Sequence, residues 1–255
     1  MSKAKLSIVI ITYNEEKLIS KCIGGVRQIA DEIIVVDSYS TDRTVEIAKN
    51  LGATVIPHGF EGHIQQKNWA KEQSQFDFVL SLDADEVVSD ELAQSIFEVK
   101  QKGFDFSGYY VNRLNYIGNK SVKTNGWYPD SKLRLWNKNM GQWSGTNPHD
   151  KFMLKSGYPK TKLKGDLIHY SYENLSEVWK KGKQYGLLAS PFVAKKSILN
   201  IMLHLITSPI SRWFKSYFLK VGISSGWTGF IIALAQSREA WVKYSRGFII
   251  KLFGK

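Results

Sequence analysis

The sequence predicts an α/β fold: a mixed, mainly parallel sheet flanked by helices, followed by a helical, basic C-terminal extension. Three observations predict it. In the first hundred residues, short apolar runs rich in Val and Ile alternate with stretches of helical pattern. Such alternation builds parallel strands joined by right-handed crossovers. After Gly103 the texture changes to segments such as "FSGYYVNRLNYIG", in which apolar and polar residues alternate as in strands of a mixed or antiparallel section. From Asn174 helical patterning returns, and residues 192–255 are rich in Ile, Leu, Phe and Trp with interspersed Lys and Arg.

Each element has a local reason. "LSIVIIT" (6–12) is a continuous β-branched run, expected for a strand buried on both faces. Asn14 is placed to cap a helix beginning at Glu15 and Glu16, acids that favour a helix N-terminus. "DEIIVVDS" (31–38) gives a second buried strand; Ser40 or Thr41 is expected to cap "DRTVEIAKNL", which Gly52 closes. "ATVIPH" (53–58) is a shorter third strand, and "HIQQKNWAKEQS" reads as helix. "FDFVLSLD" (76–83) is the fourth strand, Ser89 caps "DELAQSIFEVKQK", and Gly103 ends it. "WYPDSKLRLWNK" and "GDLIHYSY" read as later strands, and Pro209 and Gly226 are expected to divide the C-terminal region into separate helices. The domain division expected is a catalytic domain over 1–175, with nucleotide binding in 1–100 and the acceptor side and base in 101–175, then a helical basic region over 176–255.

Composition excludes a disordered chain, since 43% of the 255 residues are hydrophobic. A single cysteine, Cys22, rules out an internal disulfide and fits a reduced compartment. The opening "MSKAKLSIVIITYNEE" has too brief an apolar run and no small-residue cleavage site, so no signal peptide is expected. No stretch reaches the roughly 18 apolar residues of a spanning helix. Charge is unevenly spread: residues 1–100 carry 10 basic against 16 acidic residues, a net −6, and residues 101–255 carry 25 against 7, a net +18. From Lys180 onward 13 basic residues face only Glu239. The basic half should meet something anionic: nucleic acid, acidic lipid or a phosphorylated substrate.

Three polar clusters, "TYNEE", "DSYSTD" and "DADE", each follow a predicted parallel strand. Ligands of such sheets bind beyond the carboxyl ends of the strands, so the clusters should converge on one rim. Crowding Asp83, Asp85 and Glu86 costs free energy without a positive partner; a divalent ion carrying phosphate would supply one, and a solvated acidic turn is the bland alternative. Asp37 is placed to accept from a ribose or base, or else merely shapes an Asx turn. Thr12 and Asn14 can satisfy loop backbone, Tyr13 offers a face to a base, and Asp42 suits a helix N-terminus. Neither G-x-G-x-x-G nor G-x-x-x-x-G-K-[ST] occurs, which removes the usual support for a dinucleotide site or a P-loop.

Taken together, "LSIVIITYNEE", "DEIIVVDSYSTDRTVEIAK", "QQKNWA" and "VLSLDADEVV" resemble the inverting family 2 glycosyltransferases and their GT-A fold. "GWYPDSKLRLW", "HDKF" and "GDLIHYSY" resemble the branch that includes bacterial lipopolysaccharide core β-glucosyltransferases. The resemblance implies that Thr12, Tyr13, Asn14, Glu15, Asp37, Ser38, Asp42, Lys67 and Asn68 frame the nucleotide of a sugar donor, with UDP-glucose the expected donor. It implies that Asp83 meets the ribose or metal, that Asp85 holds Mg²⁺ or Mn²⁺ across the diphosphate, and that transfer is one in-line displacement inverting the anomeric carbon. Many members carry Glu-Asp and Gln-x-x-Arg-Trp motifs that this chain lacks. Asp130 falls where the base segment should be and is the expected base, with Asp150 the runner-up. Arg134 is expected to meet a donor or acceptor phosphate, Trp127 or Trp136 to stack on a sugar, and His149 to contact metal or phosphate. Core packing is the alternative for the tryptophans, and for His169.

The expected partners are a nucleotide sugar, a lipid-linked glycan or lipopolysaccharide core acceptor and an anionic membrane surface, without nucleic acid. The expected location is cytoplasmic, peripheral on the inner face of the bacterial inner membrane, because Lys, Arg and Trp flanking apolar helix faces describe interfacial helices. Two rivals stand against this reading. "LDADEVV" superficially matches the D-x-D-x-[TV] of haloacid-dehalogenase-like phosphatases, but it follows the fourth strand, not the first. A basic nucleic-acid or membrane-binding module would explain the charge but not three acidic clusters.

Overall fold

The computed structural model describes residues 4–147 and 149–254, with the side chain of His149 outside the description. They fall into two compact units: Met1–Leu114 with Asp130–His169, and Asn115–Pro129 with Tyr170–Lys255. The segment 115–129 thus clusters with the helical C-terminal residues.

In the first unit the elements are β1 (Leu6–Thr12), α1 (Ile19–Val26), β2 (Glu32–Asp37), α2 (Thr44–Asn50), β3 (Thr54–Pro57), α3 (His63–Glu72), β4 (Phe78–Asp83), β5 (Glu86–Val88) and α4 (Asp90–Gln101). Then come β6 (Gly108–Ile117), β8 (Asp130–Asn137), β9 (Gly141–Thr146), β10 (His149–Leu154) and β11 (Lys160–Tyr172); the last residues of β6 and β11, and the two-residue β7 (Lys120–Ser121), belong to the second unit. The main sheet has the order β3-β2-β1-β4-β8-β6-β11-β5. β3, β2, β1 and β4 are parallel, whereas β8 pairs antiparallel with β4 and β6. β1 is buried along its whole length: Leu6, Ile8 and Ile10 pack with α1 and α4, while Val9 and Ile11 pack with Trp136, Trp143 and Phe152 on the other face. Period-two alternation under cover on both sides explains the unbroken apolar run.

The register sets the functional rim. Thr12 pairs with Asp37, and Ile11 with Asp83, so β1, β2 and β4 end level. The Ser89 cap holds, its hydroxyl accepting from the Leu92 N–H at 3.3 Å, and Gly52 and Gly103 adopt the positive φ values that end helices. Two expected caps are corrected. Asn14 does not start a helix at Glu15: its φ is +52°, α1 begins at Ile19, and its side-chain oxygen accepts from the Thr41 N–H across the rim at 2.8 Å. Neither Ser40 nor Thr41 caps α2; the Asp42 carboxylate accepts from the Thr44 N–H and hydroxyl. In both cases the polar side chains join two loops, a long-range use that local cap rules do not register. The hairpin of β9 and β10 was not expected, since "GQWSGT" lacks a β-branched run; its Trp143 and Phe152 are held by the core.

The second unit is mainly α5 (Leu175–Ala194), α6 (Ile198–Phe214) and α7 (Gly226–Phe253). Asn174 caps α5 by accepting from the Glu177 N–H at 3.1 Å. α5 and α7 pack at close range because Gly182 and Gly186 face α7 backbone: a Cβ on Gly186 would lie 2.7 Å from the Glu239 carbonyl. Pro209 does not divide the helices as expected. α6 runs through it, and the Ser237 hydroxyl of α7 donates to its carbonyl at 2.9 Å. The break falls at 220–226, where Val221 and Gly226 have positive φ. α6 turns an apolar stripe outward: Leu199, Met202, Leu203, Ile206 and Ile210 are all exposed, at i, i+3, i+4, i+7 and i+11. Among the described residues no single helix is long and apolar enough to cross a membrane.

Candidate active site

The two rim loops after β1 and β2 are laced together. Asn14 N–H donates to Ser40 Oγ, Glu15 N–H to Thr44 Oγ1 and Glu16 N–H to Asp42 Oδ2, at 2.8, 2.8 and 3.1 Å. Asp37 is buried and accepts from both the Ser40 N–H and its hydroxyl, at 2.9 and 2.5 Å. Asn14, Asp37 and Asp42 therefore spend their hydrogen-bonding groups on fixing the loops. Beside them lies a cavity of about 290 Å³, bordered by Thr12, Tyr13, Glu15, Ser38, Asp83 and Asp85. The Thr12 hydroxyl is buried without a hydrogen-bond partner among the described residues. A buried polar atom left unpaired costs free energy, and a ligand filling the cavity would relieve it.

The acidic cluster has its positive partners within the protein. Lys67 Nζ, on the buried face of α3, lies 3.1 Å from Asp83 Oδ1 and 2.8 Å from Asp150 Oδ2. Arg134 Nη2, on β8, lies 3.0 Å from Asp83 Oδ2 and 2.5 Å from Glu86 Oε1. Glu86 is fully buried, and its second oxygen accepts from the Asp83 N–H at 3.1 Å. Burial would push the Asp83 carboxyl up, but the charges of Lys67 and Arg134 outweigh it and hold the group far below the usual carboxylate range. Burial likewise disfavours the Arg134 charge, and Glu86 and Asp83 more than restore it. Asp83 is therefore a fixed anion, suited to accepting hydrogen bonds and unsuited to exchanging protons.

Asp85, one turn further out, has its Oδ2 3.2 Å from His169 Nε2 on β11. Asp130 stands at the start of β8, held by Arg113 at 2.9 Å and Lys132 at 3.0 Å. Burial raises its carboxyl, but those two cations prevail and lower it, which weakens it as a proton acceptor. A second cavity of about 500 Å³ is bordered by Lys67, Asp83, Arg113, Arg134, Trp143 and Asp150. Asp83 and His63 border both cavities.

Among the sequence-predicted residues, Thr12, Tyr13, Glu15, Ser38, Lys67, Asp83, Asp85, Arg134 and Asp150 thus border one cavity or both. Asn68 is occupied elsewhere: its amide exchanges two hydrogen bonds of 2.9 Å with the Trp143 backbone and pins β9 to α3. Arg134 is buried, with Nη2 committed to carboxylates. Trp127 belongs to the second unit, stacked on Tyr172 with centroids 5.5 Å apart. Trp136 is fully buried against Phe152, 3.7 Å between centroids, and so cannot stack on a sugar. The His149 side chain lies outside the described residues. Sequence reasoning missed Glu86, His63 and the pairing of His169 with Asp85.

Comparison with known proteins adds the family. The description "Glycosyl transferase family 2" matches residues 7–164. The chain belongs to this family. Its sheet and flanking helices form a GT-A-type fold with a helical C-terminal region. A glycosyltransferase of Rickettsia typhi is 32% identical over 258 residues, covering 94% of this chain and 88% of that protein. The lipopolysaccharide core biosynthesis glycosyltransferase LpsC of Rhizobium meliloti is 26% identical over 245 residues, covering 94% and 90%. A solved structure of glucosyl-3-phosphoglycerate synthase from Mycobacterium tuberculosis, in complex with Mn²⁺, UDP and glucosyl-3-phosphoglycerate, is 22% identical, with a TM-score of 0.37 over 44% of each chain.

Proposed function

We propose that this glycosyltransferase takes a sugar from a nucleotide diphosphate, UDP-glucose being the first donor to test, and transfers it with inversion to a hydroxyl of a lipopolysaccharide core or other lipid-linked glycan. The observation that carries the reading is the pair of cavities meeting at Asp83 and His63. The cavity at the ends of β1, β2 and β4 suits the donor: it has the laced loops, the unpaired Thr12 hydroxyl and the exposed ring of Tyr13. The neighbouring cavity suits the acceptor. There Asp150, rather than Asp130, is the base favoured by position: both carboxylates are ion-paired, but Asp150 borders the cavity and Asp130 does not. Asp150 takes the proton of the acceptor hydroxyl, whose oxygen bonds to the anomeric carbon as the carbon–phosphate oxygen bond breaks and the nucleotide diphosphate leaves. Lys67, between Asp83 and Asp150, fixes the base beside the junction.

Asp85 and His169 fit a divalent cation. They present one carboxylate and one imidazole on the donor cavity, and among the described residues no set of three or more such groups forms a closed cage. Magnesium or manganese held by few protein ligands completes its shell with phosphate oxygens and water. When bound, the ion would offset the charge of the departing diphosphate. The name of LpsC supports the acceptor class. The outward stripe of α6, with Lys195 and Lys196 just ahead of it, supports docking on an anionic membrane surface at the cytoplasmic face.

A thermal-shift panel of UDP-glucose, UDP-galactose, UDP-N-acetylglucosamine and GDP-mannose with Mn²⁺ tests the donor reading. One nucleotide sugar should raise the midpoint above the others. Hydrolysis of p-nitrophenyl phosphate with no response to any nucleotide sugar would overturn it.

A further inference from the structure

The second unit contains a cavity of its own, about 480 Å³, in the size range of small-molecule sites (roughly 300–1,000 Å³). Its floor is rigid: buried Asn125 donates to Ser216 Oγ and to the Gly229 carbonyl, both at 2.9 Å, and its backbone carbonyl accepts from Gln236 at 3.3 Å. One wall is aromatic, the stacked Trp127 and Tyr172. The opposite character comes from three cations, Arg212, Lys215 and Lys220. Arg212 is oriented by Glu239 at 2.9 Å, the one acid bordering the cavity among the described residues. Among the described residues no carboxylate pairs with Lys215 or Lys220, and the Lys220 stem lies along Gly126.

We propose that this cavity is a saccharide-binding site of the helical unit, distinct from the donor cavity, whose ligand carries a phosphate group on a polyhydroxylated ring. An aromatic face takes the apolar face of a sugar ring. The Ser216 hydroxyl and the Gln236 amide oxygen offer a donor and an acceptor to hydroxyls, and an anionic ring substituent answers the excess of unpaired lysine charge. An apolar ligand would leave the lysines without a partner, and a bare anion would leave the aromatic wall unused. In the reading above, such a ligand is the phosphorylated part of a glycan acceptor, but the site is defined without reference to the donor.

The test is calorimetric titration of the full chain with glucose 6-phosphate, glucose and inorganic phosphate, with UDP as an internal control. Glucose 6-phosphate should bind saturably and more tightly than either glucose or phosphate. The Lys215→Ala/Lys220→Ala double variant should weaken it at least about tenfold, the loss expected from charge-assisted hydrogen bonds, and leave UDP binding unchanged. Among the described residues neither lysine holds an ion pair, so the variant should keep its thermal midpoint. Equal affinity of the double variant, or phosphate binding as tightly as glucose 6-phosphate, would overturn the proposal. So would lysine-dependent binding to phosphatidic acid vesicles with no glucose 6-phosphate binding, which would assign the cations to a lipid phosphate. UDP binding that persists when glucose 6-phosphate fails would overturn this site alone and leave the donor reading standing.

Discussion

Replacing Arg134 with leucine isolates the charge arrangement on which the candidate active site depends. In the wild-type protein two buried cations face three carboxylates, and Arg134 alone touches both Asp83 and Glu86, at 3.0 and 2.5 Å. After Arg134→Leu, Asp83 keeps Lys67 at 3.1 Å, but the fully buried Glu86 is left with Arg113 at 3.7 Å. Removing one partner of a buried ion pair costs about 3–5 kcal/mol, because a desolvated charge is left behind. At about 2–4 °C per kcal/mol for a chain of this size, the midpoint should fall by roughly 6–20 °C. Thermal unfolding followed by circular dichroism measures it. The pH dependence gives a second reading. The wild-type Asp83 carboxyl is depressed, so its contribution is fully present above the unfolded value of about 3.9 and is lost only as the pH falls below that. Between pH 5.5 and 7.5 this group leaves wild-type stability level. In the variant, the carboxylate pair left with too little positive charge gains by taking up a proton, so its deficit should shrink as the pH falls from 7.5 to 5.5. A loss under about 2 °C, or a deficit independent of pH, would refute the electrostatic account.

Three further outcomes follow from named contacts. Asp85→Ala should keep the fold while abolishing the Mn²⁺-dependent part of the midpoint rise given by a nucleotide sugar; an undiminished rise would remove Asp85 from the cation site. Gly186→Val should destabilise the helical unit by about 1–3 kcal/mol or more, read in urea unfolding, because its Cβ would meet the Glu239 carbonyl at 2.7 Å and Val242 at 2.9 Å. The Ile206→Asp/Ile210→Asp double variant should release the protein from anionic vesicles in a flotation assay while its midpoint stays put, since the two side chains are 69% and 65% exposed; retained flotation would exclude the outer face of α6.

Much of the nucleotide half was legible in the sequence, because burial on both faces of a parallel strand demands continuous apolar runs. The level ending of β1, β2 and β4 follows from those runs, and it brings Thr12, Asp37 and Asp83 to one rim. Long-range pairing was less legible. The Lys67 and Asp150 charges meet across 83 positions of chain, and Arg134 meets Glu86 across 48. No local pattern encodes such meetings, so the acidic cluster read as a place wanting a metal although Lys67 and Arg134 already stand within it. Asn14 read as a helix cap for the same reason: its true partner, the Thr41 N–H, lies on the opposite loop. The hairpin of β9 and β10 has weak strand propensity of its own and is held by Trp143 and Phe152 against Trp136. Pro209 misled because a single proline within a helix is tolerated when tertiary packing holds the turn.

In the proposed function the two cavities meeting at Asp83 are donor and acceptor sites, with Asp150 the base between them. The most direct test is transfer kinetics of Asp150→Asn and Asp130→Asn, measured beside donor affinity. Asp150→Asn should bind the nucleotide sugar as the wild-type protein does and lose turnover by about 100-fold or more, while Asp130→Asn should retain most of it. Wild-type turnover in Asp150→Asn, with the loss falling on Asp130→Asn, would contradict this assignment.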